Sequence, residues 1–217
     1  MLKVDSVLLE FDNRKILQDI YIDCQAGQVT GLLGRNGSGK SSLLRIIFGT
    51  LKPSYKYISI NDTYVTKGYI NNQIAYLPQH NYLPKHTIIN DMARILVDEQ
   101  AWEEFQSYEI YQQHHNKKAD QLSGGELRKL ETLMILYSRA DYILLDEPFT
   151  HVSPVQADEI KQIIRKRAPF KGFIITDHQY YNILEVSDKI VLLSNGTTKL
   201  ITDRSELITY GYLSGTQ

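Results

Sequence analysis

Gly34-Arg35-Asn36-Gly37-Ser38-Gly39-Lys40-Ser41 is the stretch that decides the fold. It has the pattern of a phosphate-binding loop, in which Lys and Ser or Thr follow the second of two spaced glycines. The loop follows an apolar run at residues 29–33 and precedes apolar residues at helical spacing over 43–48. Strand, loop and helix in this order predict a phosphate cradle, because main-chain N–H groups and the helix N-terminus can converge on phosphate oxygens.

The residues of this loop predict a site for Mg·ATP. The Lys40 ammonium is expected to neutralise the β- and γ-phosphates, and the Ser41 hydroxyl to bind Mg²⁺. A glycine-rich turn with a surface lysine is the competing interpretation, and the agreement of pattern and context disfavours it. The predicted nucleotide-binding residues of the loop are Gly34, Arg35, Asn36, Gly37, Ser38, Gly39, Lys40, Ser41 and Ser42.

A second acidic motif follows an apolar run at residues 142–145. Asp146 stands at the predicted strand end, where NTPases with this loop place the carboxylate that supports the metal. Glu147 comes one residue later and is predicted to act on the water in line with the γ-phosphate, as general base or water orienter. The alternative is that both carboxylates are solvated turn residues.

Leu122-Ser123-Gly124-Gly125-Glu126 precedes an amphipathic run. Ser123 and Glu126 have the spacing of a helix capping box. A cap does not explain two glycines in the first turn, where they lower helix propensity. Bare main chain at a helix N-terminus suits an anion, so Ser123, Gly124 and Gly125 are a second predicted nucleotide contact.

The rest of the chain predicts an α/β fold with a mainly parallel sheet, an antiparallel β edge and a helical insertion. Alternation around Asp12-Asn13 indicates antiparallel strands, and Asn195-Gly196 indicates a hairpin. Buried runs separated by helices favour parallel pairing. Four further helices are predicted, one with Ile88, Ile89, Met92, Ile95 and Leu96, one with Trp102, Phe105 and Tyr108 or Ile110, one with Leu127, Leu130, Leu133 or Met134 and Tyr137 on one side, and one over residues 155–167 with Ile160, Ile163 and Ile164.

The length, charge and composition of the chain limit the functional classes to which the protein can belong. The chain has 217 residues, enough for one domain with a compact insertion, and its net charge of −1 gives no field that would attract nucleic acid. The longest apolar runs fall far short of the roughly 20 residues that cross a bilayer. The first ten residues do not have the pattern of a secretion signal, so we expect a cytoplasmic protein. Cys24, the single cysteine, is expected to fill space on a strand.

In this order the motifs resemble the ATP-binding domain of ABC proteins over nearly the whole chain. Residues 34–41 resemble the Walker A loop, 122–126 the signature and Asp146-Glu147 the end of Walker B. The resemblance implies that Gln79 senses Mg²⁺ and water, that His178 contacts the γ-phosphate and that Phe11 stacks on adenine. The implied catalytic residues are Lys40, Glu147 and His178, and the implied metal residues are Ser41, Gln79 and Asp146.

The resemblance also implies an organisation and partners. Residues 1–217 form one domain, with a RecA-like core at 1–85 and 123–217 and a helical subdomain at about 86–122. The signature of one subunit completes the ATP site of a second ABC subunit in a head-to-tail homo- or heterodimer. The helical subdomain docks a transmembrane permease subunit, which places the protein on the cytoplasmic face of the membrane.

Two other functions stay open at the level of sequence. A soluble ABC ATPase could drive assembly of a cytosolic complex, as the iron–sulfur cluster ATPases do. The family usually has Asp where Ser153 stands, in the loop that follows Walker B, and this difference raises the possibility of a regulatory subunit with poor turnover.

Overall fold

A computed structural model describes residues 1–12 and 14–214 of the chain. The strands are β1 Leu2–Phe11, β2 Arg14–Cys24, β3 Val29–Leu33, β4 Tyr55–Ile60, β5 Thr63–Tyr64, β6 Ile74–Leu77, β7 Tyr142–Asp146, β8 Gly172–Thr176, β9 Lys189–Ser194 and β10 Thr197–Ile201. The α-helices are α1 Lys40–Phe48, α2 Ile89–Leu96, α3 Trp102–Gln106, α4 Glu109–His114, α5 Gly124–Leu136, α6 Pro154–Arg167, α7 Tyr180–Val186 and α8 Ser205–Thr209.

The larger sheet has six strands in the order β10-β9-β3-β8-β7-β6. All neighbours in it are parallel except β10, which pairs antiparallel with β9 through the predicted Asn195-Gly196 hairpin. The φ angles of Asn195 and Gly196 are 52° and 79°, as this two-residue turn requires. Strands β3, β7 and β8 are buried on both faces, which explains their continuous apolar runs. The predicted α/β class is confirmed.

The parallel order of the strands determines where the candidate site lies. The carboxyl ends of β3, β8, β7 and β6 lie side by side at one edge of the sheet. The segments that follow these strands carry the phosphate loop, His178, Glu147 and Gln79, respectively. Such an edge is where open α/β sheets bind their ligands.

A second, antiparallel sheet has the order β2-β1-β4-β5. Its apolar side chains pack with α1 against one face of the larger sheet, and α5, α6 and α7 cover the other face. Phe11 ends β1 and is 51% exposed, so its ring is available to a ligand. Cys24 ends β2 and is buried, and burial raises the pKa of its thiol to about 12, in keeping with the predicted filling role.

The helical segment, which consists of α2, α3 and α4, differs from the prediction in one place. The single helix expected around Trp102, Phe105 and Tyr108 is two short helices, α3 and α4. The break occurs because Ser107 Oγ donates to Glu104 O (2.7 Å) and Tyr108 is extended, with ψ at 125°. The Tyr108 hydroxyl lies 2.7 Å from the Tyr137 hydroxyl, a contact that a continuous helix does not provide for.

Helix α5 also differs from the prediction, because it is buried on more than the one predicted side. Residues 130–136 are all buried, since α5 lies between the larger sheet and the helical segment. It ends at Leu136, with Tyr137 as its C-cap. Within the described residues, no helix combines the length and apolar character that a membrane span requires.

Candidate functional site

The loop after β3 forms a cradle around the Lys40 side chain. Lys40 Nζ donates to Gly34 O at 2.7 Å and to Arg35 O at 3.2 Å, so the lysine spans the loop from the first turn of α1. Gly37 and Gly39 have φ angles of 78° and 105°, which non-glycine residues rarely adopt. Burial lowers the pKa of Lys40, and the nearby Glu147 and Asp146 carboxylates oppose that shift. A buried ammonium held only by carbonyls is well placed for an anionic ligand.

The cradle opens into a cleft of about 550 Å³. The lining residues are Phe11, Ile16, Asn36, Gly37, Gly39, Lys40, Ser41, Ser42, Gln79, Glu147 and His178. Apart from Ile16, all of them were predicted from the sequence. The volume suits a small-molecule ligand, and a lining that includes an exposed aromatic and a lysine suits a nucleotide.

Three loop residues lie outside this cleft. Arg35 and Ser38 line a neighbouring cleft of about 330 Å³, and Arg35 Nη2 donates to Gly211 O at 2.7 Å. Gly34 is buried, and a Cβ there would lie 2.7 Å from Leu193 O. The structure therefore gives Gly34 a close-packing role and turns the Arg35 side chain away from the lysine. Their main-chain atoms still shape the loop.

Asp146 is 1% exposed, and both of its carboxylate oxygens are hydrogen-bonded. Ser41 Oγ donates to Oδ1 and Tyr76 Oη donates to Oδ2, each at 3.0 Å. Burial raises the pKa of Asp146, and the two hydroxyl donors oppose that shift. A serine hydroxyl beside one carboxylate is a donor set that Mg²⁺ completes with phosphate oxygens and water. The predicted Ser41 and Asp146 therefore fit the metal, and Gln79 lines the same cleft.

Glu147, Thr150 and His178 form a polar cluster at the mouth of the cleft. Thr150 Oγ1 donates to Glu147 Oε2 at 3.2 Å, and His178 Nδ1 lies 3.6 Å from the same oxygen. Glu147 has a φ of 54°, an uncommon value for a non-glycine residue, and its N–H donates to Thr176 O at 2.8 Å. The backbone after β7 thus turns sharply, and the carboxylate of Glu147 lines the open cleft while that of Asp146 is buried.

Ser123, Gly124 and Gly125 lie at the N-terminus of α5, away from the cleft lining. The predicted capping box is confirmed, with Ser123 N donating to Glu126 Oε2 at 2.8 Å and Glu126 N to Ser123 Oγ at 3.4 Å. A Cβ on Gly125 would lie 2.9 Å from His151 O, so the loop after β7 requires a glycine there. A Cβ on Gly124 would have no described neighbour within 4 Å, which leaves this turn of main chain open to an anion.

Ser153 has a local structural role. Its hydroxyl accepts from Gln156 N at 3.3 Å and caps α6. Asp caps helices equally well, so Ser153 preserves the local structure that Asp would give. The effect of this departure on communication between two ATP sites stays a prediction.

Arg128 was missed by the sequence analysis, although it joins three of the motifs. It lies on α5 and is 2% exposed. Its Nη1 donates to Pro78 O, next to Gln79, and its Nη2 donates to the carbonyls of Asp146 and Glu147, at 2.7 to 2.9 Å. The sequence offered one signal for this role: Arg128 is a charged residue three positions before Glu131, in a helix predicted to be apolar on one side.

Arg128→Met is expected to lower the free energy of unfolding by about 3–5 kcal/mol, because it leaves the buried carbonyls and Glu131 without their cation. Denaturant unfolding measures the loss. Arg165→Met is the matched control, since Arg165 pairs with Asp188 at the surface, where the two side chains are 42% and 41% exposed, and such pairs contribute less than about 1 kcal/mol. Equal losses for the two variants would show that Arg128 does not anchor the motifs.

Comparison with known proteins agrees with this geometry. The ABC transporter family model matches residues 17–150. The lipopolysaccharide export system ATP-binding protein LptB of Escherichia coli K12 is 29% identical over 201 residues, covering 86% of this chain and 83% of the relative.

Two solved structures share the fold. One is an ATP binding subunit of an ABC transporter, with a TM-score of 0.85, 20% identity and coverage of 100% of this chain and 95% of the other. The second is a bacterial ABC transporter cassette solved as a dimer, with a TM-score of 0.79, 19% identity and coverage of 94% and 100%. Since the family model matches more than half of the residues, the chain belongs to the ABC transporter family.

Proposed function

We propose that the chain binds and hydrolyses Mg·ATP and that this reaction powers a transporter. The observation that carries the proposal is the single cleft that brings Phe11, Lys40, Gln79, Glu147 and His178 together. Adenine stacks on Phe11, which ends β1 with an exposed ring. The phosphates lie against the loop N–H groups and Lys40. Ser41 and Asp146 would hold Mg²⁺, which would neutralise phosphate charge there.

Glu147 is the proposed general base. Its carboxylate accepts a proton from the attacking water as the water oxygen bonds to the γ-phosphorus, and the bond from that phosphorus to the bridging oxygen breaks to give ADP and phosphate. Thr150 orients the carboxylate from one side. His178 is 44% exposed at the cleft and contacts the γ-phosphate. Magnesium-dependent phosphate release by the purified protein tests this step, and an inactive purified dimer would overturn it.

The working unit in this proposal is a head-to-tail dimer. The cleft of one subunit is open to solvent, and the open N-terminus of α5 around Gly124 supplies an anion-binding surface from the second subunit. The similar cassette that was solved as a dimer supports the formation of a dimer. ATP then acts as an interfacial ligand, and loss of the γ-phosphate contacts favours opening.

A second cleft, of about 520 Å³, is the proposed docking groove for a transmembrane permease subunit. It lies between β6 and the helical segment and includes Pro78, the neighbour of Gln79. Its lining is mostly apolar, and Tyr69 and Ile95 are 41% and 72% exposed. An exposed apolar groove of this kind fits a partner helix, and the partner would hold the chain at the cytoplasmic face of the membrane.

Ile95→Glu is expected to remove co-purification of a polytopic membrane protein while the unfolding midpoint stays near that of the wild type. The carboxylate would have to be buried at the interface, whereas in the free subunit it stays in water. Leu200→Glu is the matched control, because Leu200 is 56% exposed on β10, at the opposite edge of the larger sheet. Retention of the membrane protein by Ile95→Glu would place the docking surface elsewhere.

The comparisons favour the transporter proposal over assembly of iron–sulfur clusters. The matched family and the bacterial relative are transporter proteins by name, so that assembly gains no support. The regulatory alternative concerns turnover, and steady-state hydrolysis by the purified protein, compared with Glu147→Gln, decides it.

A further inference from the structure

Tyr76 connects the docking groove with the buried carboxylate of the ATP cleft. It lies on β6, three residues before Gln79. Its hydroxyl donates to Asp146 Oδ2 at 3.0 Å, while Ser41 Oγ donates to Oδ1 at the same distance. The two hydroxyls therefore fix the rotation of a carboxylate that is 1% exposed.

The ring of Tyr76 contacts the docking groove. It lines the groove of about 520 Å³ and packs on Phe48, with ring centroids 5.4 Å apart. Phe48 packs in turn on Tyr69, whose ring lines the same groove. A group seated in the groove thus contacts the side chain whose hydroxyl holds Asp146.

The two hydroxyl donors differ in their relation to the metal. Ser41 is itself a proposed metal ligand, and its O–H can still donate to Asp146 while its oxygen binds the metal. A substitution of Ser41 therefore removes a metal ligand together with the bond to Asp146. Among the described side-chain contacts of Asp146, the Tyr76 hydroxyl is the donor whose removal leaves the proposed metal ligands in place.

We infer that Tyr76 is a positioning residue for the metal. Its hydroxyl orients Asp146, and its ring lines the groove, so a group bound in the groove contacts the residue that orients Asp146. The inference rests on the proposed function, since it concerns the metal of the same site. It predicts that the benefit of Mg²⁺ to ATP binding depends on one hydroxyl group outside the ATP cleft.

Tyr76→Phe tests this, because it removes the hydroxyl and keeps the ring against Phe48. The Kd for ATP is measured by calorimetry with MgCl₂ and with EDTA, at low temperature to suppress turnover. We expect the magnesium-dependent gain in affinity to fall about tenfold to 100-fold, as for loss of a hydrogen bond to a charged group, while the Kd in EDTA stays unchanged. Tyr69→Phe, on the same groove, is the control and should retain the full gain.

The other outcomes separate this inference from the proposed function. Wild-type protein that binds no ATP with MgCl₂ would refute the proposed function itself. Wild-type binding with an unchanged magnesium gain in Tyr76→Phe would refute the positioning role alone. An equal loss of affinity in MgCl₂ and EDTA, or loss of the fold, would also refute it, because the hydroxyl would then support the structure and not the metal.

Discussion

Glu147→Gln is expected to lower steady-state ATP hydrolysis by about 10²- to 10⁴-fold, the range for removing a general base. The amide keeps the size of the carboxylate and can still contact Thr150, but it cannot accept the proton of the attacking water. The main-chain bonds of Glu147 to Thr176 and Arg128 are untouched, so the sharp turn after β7 survives. ATP binding should therefore persist, and the variant should accumulate as a closed dimer.

Phosphate release and size-exclusion chromatography with light scattering measure the two effects on one sample. Glu103→Gln is the matched control, because Glu103 is exposed on α3 in the helical segment. It should hydrolyse ATP like the wild type. Hydrolysis by Glu147→Gln within a fewfold of the wild type would assign the base to another residue.

Lys40→Met is expected to weaken ATP binding about 30-fold or more. Removing one partner of a buried, hydrogen-bonded charge pair costs about 2–5 kcal/mol or more, and each 1.4 kcal/mol is about tenfold in Kd. The methionine keeps the apolar stem and loses the bonds to the Gly34 and Arg35 carbonyls. In the variant, the Asp146 and Glu147 carboxylates repel the phosphate groups, and no ammonium offsets that repulsion.

Calorimetric titration with Mg·ATP measures this loss. The control is Lys52→Met, an exposed lysine outside the cleft lining, whose Kd should match that of the wild type. If Lys40→Met binds ATP as tightly as Lys52→Met does, the cradle is not the phosphate site.

Local sequence patterns were sufficient to predict the structure wherever a single segment determines it. The strand-loop-helix order around residues 34–41, the capping box at Ser123 and the Asn195-Gly196 hairpin depend on neighbours in the chain, and each was predicted. Parallel pairing followed from the buried runs, because a strand covered by helices on both faces has no polar alternation. The residues of the ATP cleft came from motif order.

Contacts between distant segments were not predicted. The bonds of Tyr76 to Asp146 and of Arg128 to Pro78 join residues 70 and 50 positions apart, and no periodicity marks them. The contact of Tyr108 with Tyr137 joins residues 29 positions apart, and the burial of residues 130–136 depends on what packs around α5. The need for glycine at Gly125 likewise appears only when the loop carbonyl of His151 is in place.

Head-to-tail sharing of the ATP site is the central claim, and a mixture of two variants tests it. Gly124→Asp should fold, because a Cβ there meets open space and an acidic residue suits a helix N-terminus, yet it repels phosphate. Both Gly124→Asp and Lys40→Met are placed in Glu147→Gln protein, and the ATP retained per dimer is counted. Neither variant alone should retain ATP, and the mixed dimer should retain one molecule, between the intact loop of one subunit and the intact α5 of the other. A mixed dimer that retains none would contradict the account.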